Sequence, residues 1–185
     1  MNQPDLSSSL MAARDLLGWK LVHDTPEGRT AGYIVETEAY DMHDPASHSF
    51  GGLRARNAPM YEAAGTIYVY LIYGMHRCVN IVTGPQGHGQ AVLIRALEPT
   101  EGLDFMKKQR DTQNEKLLTN GPAKLVQAMS ITGDLNGKKL GDHLHLEPGI
   151  EVRKVVQTTR VGISKAVDQP WRFYIAGNPH VSRSQ

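Results

Sequence analysis

The segment Ile67-Tyr68-Val69-Tyr70-Leu71-Ile72-Tyr73-Gly74-Met75 constrains the fold most. A run of β-branched, aromatic and aliphatic residues that meets a glycine reads as a buried strand entering a tight turn. Side chains alternate along a strand, so Tyr68 and Tyr70 share one face, Ile67, Val69 and Leu71 the other, and Tyr73 and Met75 flank the turn. Stretches 79–82 and 91–97 read as two more strands joined by a loop, 84–90, that holds three glycines. Upstream, 20–22 and 30–40 flank the turn-forming Thr25-Pro26-Glu27-Gly28 and predict a hairpin. Short strands are expected at 144–146, 151–155 and 172–176. Helices are expected at 7–17, closed by Gly18, after Pro99 with Leu103 and Met106, and from Pro122, where Leu125, Val126 and Met129 recur at helical spacing. The aperiodic stretch 41–59 is too long for a simple connection, which points to function or partial mobility.

A chain of 185 residues, 40% apolar and 21% charged, fits one folded domain spanning 1–185 and is far from a disordered composition. Its single cysteine, Cys78, rules out an internal disulfide framework, and with no signal-peptide core or membrane span the expected setting is a reducing cytoplasm. The net charge of +1 does not itself announce a nucleic-acid partner. Local clusters do occur, at Arg54 and Arg56, at Lys107, Lys108 and Arg110, at Lys138 and Lys139, and at Arg153 and Lys154; solvated faces are the ordinary explanation for each.

In Ile34-Val35-Glu36-Thr37-Glu38-Ala39-Tyr40, alternation puts Glu36, Glu38 and Tyr40 on one face and Val35, Thr37 and Ala39 on the other. Two acids on one strand face repel and resist burial, so they mark either an edge strand in water or a site that uses the carboxylates. An exposed tyrosine and methionine at a hairpin tip would suit side chains inserted between base pairs. Histidines 43, 48, 76, 88, 143, 145 and 180 lack the spacing of a zinc motif, so no metal is expected, and no phosphate loop, dinucleotide fingerprint or nucleophile elbow implies a cofactor. Cys78 reads as a small core residue.

Glu36-Thr37-Glu38-Ala39-Tyr40, His48-Ser49, Arg56-Asn57, Met60-Tyr61, Tyr68 to Met75, Asn80-Ile81, Arg95 to Pro99, Gly121 to Leu125 and Arg160-Val161-Gly162 occur in one order. Together they resemble the alkyladenine (3-methyladenine) DNA glycosylase family over nearly the whole chain. The resemblance implies that Glu38 is the general base that deprotonates the attacking water, with Glu36 in support. Tyr40, His48 and Tyr70 would form the base pocket, and Asn80 would screen purines by their exocyclic group. Tyr73 would fill the gap left in the duplex with Met75 beside it, and Arg95 would lie near the flipped nucleotide's phosphate and the catalytic water. Lys124 and the Val161-Gly162 main chain look like phosphate contacts.

The implied fold is α+β: one domain with a curved, mainly antiparallel sheet, surrounding helices and a protruding β-hairpin. The implied activity is monofunctional excision of 3-methyladenine, 7-methylguanine, hypoxanthine or ethenoadenine from double-stranded DNA, by a monomer without a cofactor. A catalytically inactive lesion-binding protein is the alternative. A sugar-directed glycoside hydrolase fits less well, because same-face acids on one strand rarely straddle a scissile bond.

Overall fold

The computed structural model describes residues 3–72 and 74–182. Its strands are β1 (Lys20–Thr25), β2 (Gly28–Tyr40), β3 (Ile67–Ile72), β4 (His76–Val82), β5 (Ala91–Glu101), β6 (Leu144–Glu147), β7 (Val155–Thr158) and β8 (Arg172–Ile175). All pairings are antiparallel, in the order β3-β4-β5-β2-β1-β6. The 13-residue β2 is long enough to serve two partners on one side: its first half pairs with β1 and its second half with β8, which in turn pairs with β7. The sheet curls around this shared strand into a single α+β domain. No helix among the described residues is long and apolar enough to cross a membrane.

Three α-helices cover one face of the sheet: α1 (Ser9–Asp15), α2 (Leu103–Arg110) and α3 (Pro122–Ala128). Ser8 caps α1, its hydroxyl accepting the Met11 N–H at 3.3 Å. Gly18 closes that segment at φ 82°, where a Cβ would lie 2.5 Å from the Ile150 carbonyl oxygen, so only glycine fits. Leu16 of the α1 turn, Met106 of α2 and Leu125 of α3 meet Ile34, Ile67, Ile81, Ile94 and Leu97 from the sheet, all fully buried in one core. At about 1.5–3 kcal/mol per buried aliphatic side chain, this layer dominates the burial energy. It leaves the opposite face of the central strands free to carry polar groups.

Two expectations need correction. Residues 151–154 are not strand; Ile150 donates its N–H to the Gly18 carbonyl and Val152 packs on the core there, so pairing with β8 begins only at Val155. Nor does Val35 share the core side with Ala39. The β2–β5 register shifts on either side of Glu36, a bulge whose extra residue turns Val35 toward Ala96, Tyr174 and Val181. Stretch 41–59 is pinned in place. Asn57, in a 3-10 helix at Ala55–Tyr61, is fully buried, donates to the carbonyls of His48 and Gly52 and accepts the Arg54 N–H.

Candidate active site

The face of the sheet away from the helices carries one continuous row of side chains. Tyr68 on β3 stands opposite Asn80 on β4, Asn80 opposite Leu93 on β5, Leu93 opposite Glu38 on β2, and Glu38 opposite Arg172 on β8. Residues two positions along point the same way, which adds Tyr70, Cys78, Arg95 and Glu36. Above this row opens a pocket of about 600 Å³, lined by Glu38, Tyr40, His48, Tyr70, Asn80 and Arg95 among others. Six residues that sequence reasoning assigned to one site therefore share one cavity of a size suited to a small planar ligand.

Glu38 is fully buried at the floor. Its Oε2 accepts the Tyr40 hydroxyl at 2.7 Å, its Oε1 accepts the Val161 N–H at 2.8 Å, and Arg95 Nη1 lies 3.3 Å from Oε1. Glu36, also fully buried, anchors a second set of contacts: Oε1 accepts from Arg95 Nε at 3.1 Å, Arg172 Nε at 2.7 Å and the Ser182 hydroxyl at 2.9 Å, while Oε2 accepts the Ser182 N–H at 2.7 Å. Two buried carboxylates on one face are thus compensated by two buried arginines, and Arg95 bridges them. Isolated burial of any of these charges would be prohibitive.

The walls are aromatic. Tyr68 and Tyr70 stack with centroids 5.5 Å apart, and the His48 ring meets Tyr70 edge-on at 4.4 Å while its Nδ1 pairs with the Tyr68 hydroxyl at 3.0 Å. Burial pushes the Tyr68 hydroxyl up to about 12. Burial raises the Tyr40 and Tyr70 hydroxyls further, with the Glu38 carboxylate adding to the effect at Tyr40 and Cys78 at Tyr70, so all three remain donors at neutral pH. Cys78 is buried against Tyr70, and burial holds its thiol above the usual range, which fits a packing role. Asn80 is buried beneath the pocket with its amide donating to the Tyr68 carbonyl at 3.1 Å.

The remaining assigned residues fall around this centre. Met75 is 71% exposed at the β3–β4 turn, with Leu71 at 54% nearby, while Tyr73 lies outside the described residues. The Val161 N–H is engaged by Glu38, and Val161 and Gly162 both line the pocket. Lys124 sits in the first turn of α3, its ammonium bonded to Asn120 Oδ1 at 2.8 Å, outside the pocket.

Sequence reasoning missed the support behind Tyr40. Arg160 is buried and grips both carboxylate oxygens of buried Asp44, donates to the Ala39 carbonyl at 2.9 Å, and lies 4.6 Å from the Tyr40 ring centre and 5.2 Å from that of Trp171. It also missed Phe50 and Lys165 on the pocket lining. Arg160 belonged to a quoted motif, but Asp44, Trp171 and Lys165 carry no local pattern.

The comparison with known proteins agrees with this geometry. The family model for methylpurine-DNA glycosylase matches residues 5–179. A protein of Methanoculleus marisnigri is 52% identical over 181 residues, covering 95% of this chain and 94% of its own length. One of Nitrosospira multiformis is 46% identical over 187 residues, covering 99% and 95%, and one of Carboxydothermus hydrogenoformans is 46% identical over 178 residues, covering 94% and 93%. All three are provisionally named as 3-methyladenine DNA glycosylases. Fold, pocket and likeness define a DNA-repair enzyme that hydrolyses an N-glycosidic bond. The chain belongs to the methylpurine-DNA glycosylase family.

Proposed function

We propose that this protein flips an alkylated or deaminated purine out of duplex DNA and hydrolyses its N-glycosidic bond with a water activated by Glu38. The observation that carries the reading is the hydrogen-bond complement of Glu38 at the floor of an aromatic pocket. A carboxylate offers about four acceptor positions. Val161 donates to Oε1, where Arg95 Nη1 forms an ion pair at 3.3 Å, and Tyr40 occupies one position on Oε2. Among the described residues no other donor reaches Oε2, and its second lone pair would accept the proton from water.

A base inside a stacked duplex is beyond reach of any carboxylate, so it must leave the stack, at a cost of a few kcal/mol that is least for damaged, badly paired bases. Tyr40, Tyr70 and His48 provide ring surfaces for it. Breaking the glycosidic bond builds positive charge on the sugar. The Glu38 carboxylate stabilises that charge and takes the proton from the attacking water, a contribution of about 10²–10⁴-fold for a positioned base. Purines alkylated at N3 or N7 already carry positive charge and leave readily. Asn80, held by its hydrogen bond to the Tyr68 carbonyl, would sense the exocyclic group. The exposed Met75 side of the β3–β4 hairpin would enter the minor groove.

Single-turnover reactions on duplexes carrying 7-methylguanine, hypoxanthine or ethenoadenine test this. The expected result is release of free base with strand breaks that form only after alkali. Binding without release would make the chain a lesion-recognition module. Direct nicking, with a borohydride-trapped adduct at Lys165, would replace water by an amine nucleophile.

A further inference from the structure

We propose that Asp41, His43 and His88 form a binding site for a divalent cation of the zinc class, separate from the base pocket. One carboxylate oxygen and two imidazole nitrogens from these residues lie within 4.8 Å of one another. None of the three lines the pocket. Asp41 directly follows the last residue of β2, His43 is two residues on, and His88 comes from the loop between β4 and β5. The 45 or so residues that separate the two parts match no ligand spacing, so the fold alone brings them together.

The geometry is close to what such an ion requires. Zinc binds carboxylate oxygen and imidazole nitrogen at about 2.0–2.2 Å, which puts tetrahedral neighbours about 3.4 Å apart. His88 Nε2 and Asp41 Oδ2 already stand 3.1 Å apart. The His43 ring meets the His88 ring edge-on at 5.7 Å, and closing its remaining gap needs a movement of at most about 1.4 Å, within reach of an exposed side chain. Asp41 Oδ1 accepts the His43 N–H at 2.9 Å, which orients Oδ2 toward His88, as outer-shell hydrogen bonds orient ligating carboxylates.

The loop that bears His88 is also held. Gly87 donates its N–H to the Tyr61 carbonyl at 2.7 Å, and the Gly89 carbonyl accepts the Ser49 hydroxyl at 2.7 Å. A Cβ at Gly89 would come within 2.7 Å of the Ser49 Cβ, so glycine permits the approach. A histidine–aspartate ion pair alone would account for His88 and Asp41 but not for His43. Two imidazoles and one carboxylate select zinc, cobalt or nickel over magnesium or calcium, which prefer oxygen. An ion here would tie the loop bearing His88 to the segment that leads from Tyr40 to His48.

Tag-free, chelator-stripped protein is titrated with Co²⁺ and Zn²⁺, read by calorimetry, by cobalt absorption in the visible, and by thermal melting. The proposal expects one equivalent bound, a Tm that rises with metal, and at least a tenfold loss of affinity in His43→Gln/His88→Gln. Metal-free, that double variant should melt and excise bases like the native protein. Two results overturn it: no stoichiometric binding by the native protein, or undiminished binding by the double variant, which would put the cation elsewhere, for instance on His48 and Glu38.

Discussion

Val161, 123 residues beyond Glu38 in the chain, donates its main-chain N–H to Glu38 Oε1 at 2.8 Å. The neighbouring Arg160 side chain lies over both the Tyr40 and Trp171 rings and grips Asp44. The carboxylate and the wall beside it are therefore aligned by one residue pair that touches both. Positioning of this kind matters because a displacement of about 1 Å can lower a rate on the order of 10²-fold.

Arg160→Lys tests that alignment. Lysine keeps the charge but loses the planar two-pronged grip on Asp44 and the stacking on Tyr40. Single-turnover excision should fall at least tenfold while KM for lesion duplex changes little. Equal loss of binding and rate, or no loss at all, would remove Arg160 from the positioning role.

Glu36→Gln should act mainly on stability. It withdraws the charge shared by Arg95 and Arg172, and breaking a buried ion network costs about 3–5 kcal/mol. For a chain of this size that lowers Tm by on the order of 10 °C. Urea unfolding at neutral pH measures it, and a change within about 0.5 kcal/mol, typical of surface sites, would contradict the account.

Much of this site could be read in the sequence, for a definite reason. Glu36, Glu38, Tyr68 and Tyr70 are placed on their faces by strand alternation, which needs no tertiary information. Their convergence on Arg95, Asn80 and His48 came from the order of motifs, and the cross-strand row from Tyr68 to Arg172 shows its physical basis. The bulge at Glu36 was not legible, because an extra residue in a ladder is defined by its partner strand, here β5. Asp44, Trp171 and the Asp41–His43–His88 cluster depend on loops meeting in space, and no periodicity encodes that. Leu71 shares a strand face with Ile67 and Val69, yet it is 54% exposed while they are buried, because it lies one residue from the end of β3.

Met75→Ala and Leu71→Ser probe the hairpin tip. Both side chains are exposed, so stability should change by no more than about 0.5 kcal/mol. Affinity for lesion-bearing duplex should fall several-fold in a fluorescence titration. Unchanged affinity in both variants would place the DNA on another surface.

His48 should titrate low. Burial among the tyrosines lowers its imidazole below the ordinary histidine value of about 6.5, and the Arg56 charge lowers it further. A depressed histidine binds fewer protons folded than unfolded, so its effect on stability is absent above about pH 6.5 and becomes unfavourable as pH falls below that value. The His48 ring resonances in NMR should show a midpoint under 6.5, moving upward in Arg56→Ala. A midpoint above 6.5 would mean that a negative partner, not burial, controls the ring.

Glu38→Gln is nearly isosteric and keeps the pocket shape while removing the carboxylate proposed as the base. Excision of 7-methylguanine from a duplex, followed under single turnover beside lesion-binding affinity, tests the role of Glu38 most directly. The account predicts binding within a few-fold of native and a rate lower by about 10²–10⁴-fold. Excision at the native rate by a folded Glu38→Gln protein would contradict it and assign activation of water to another group.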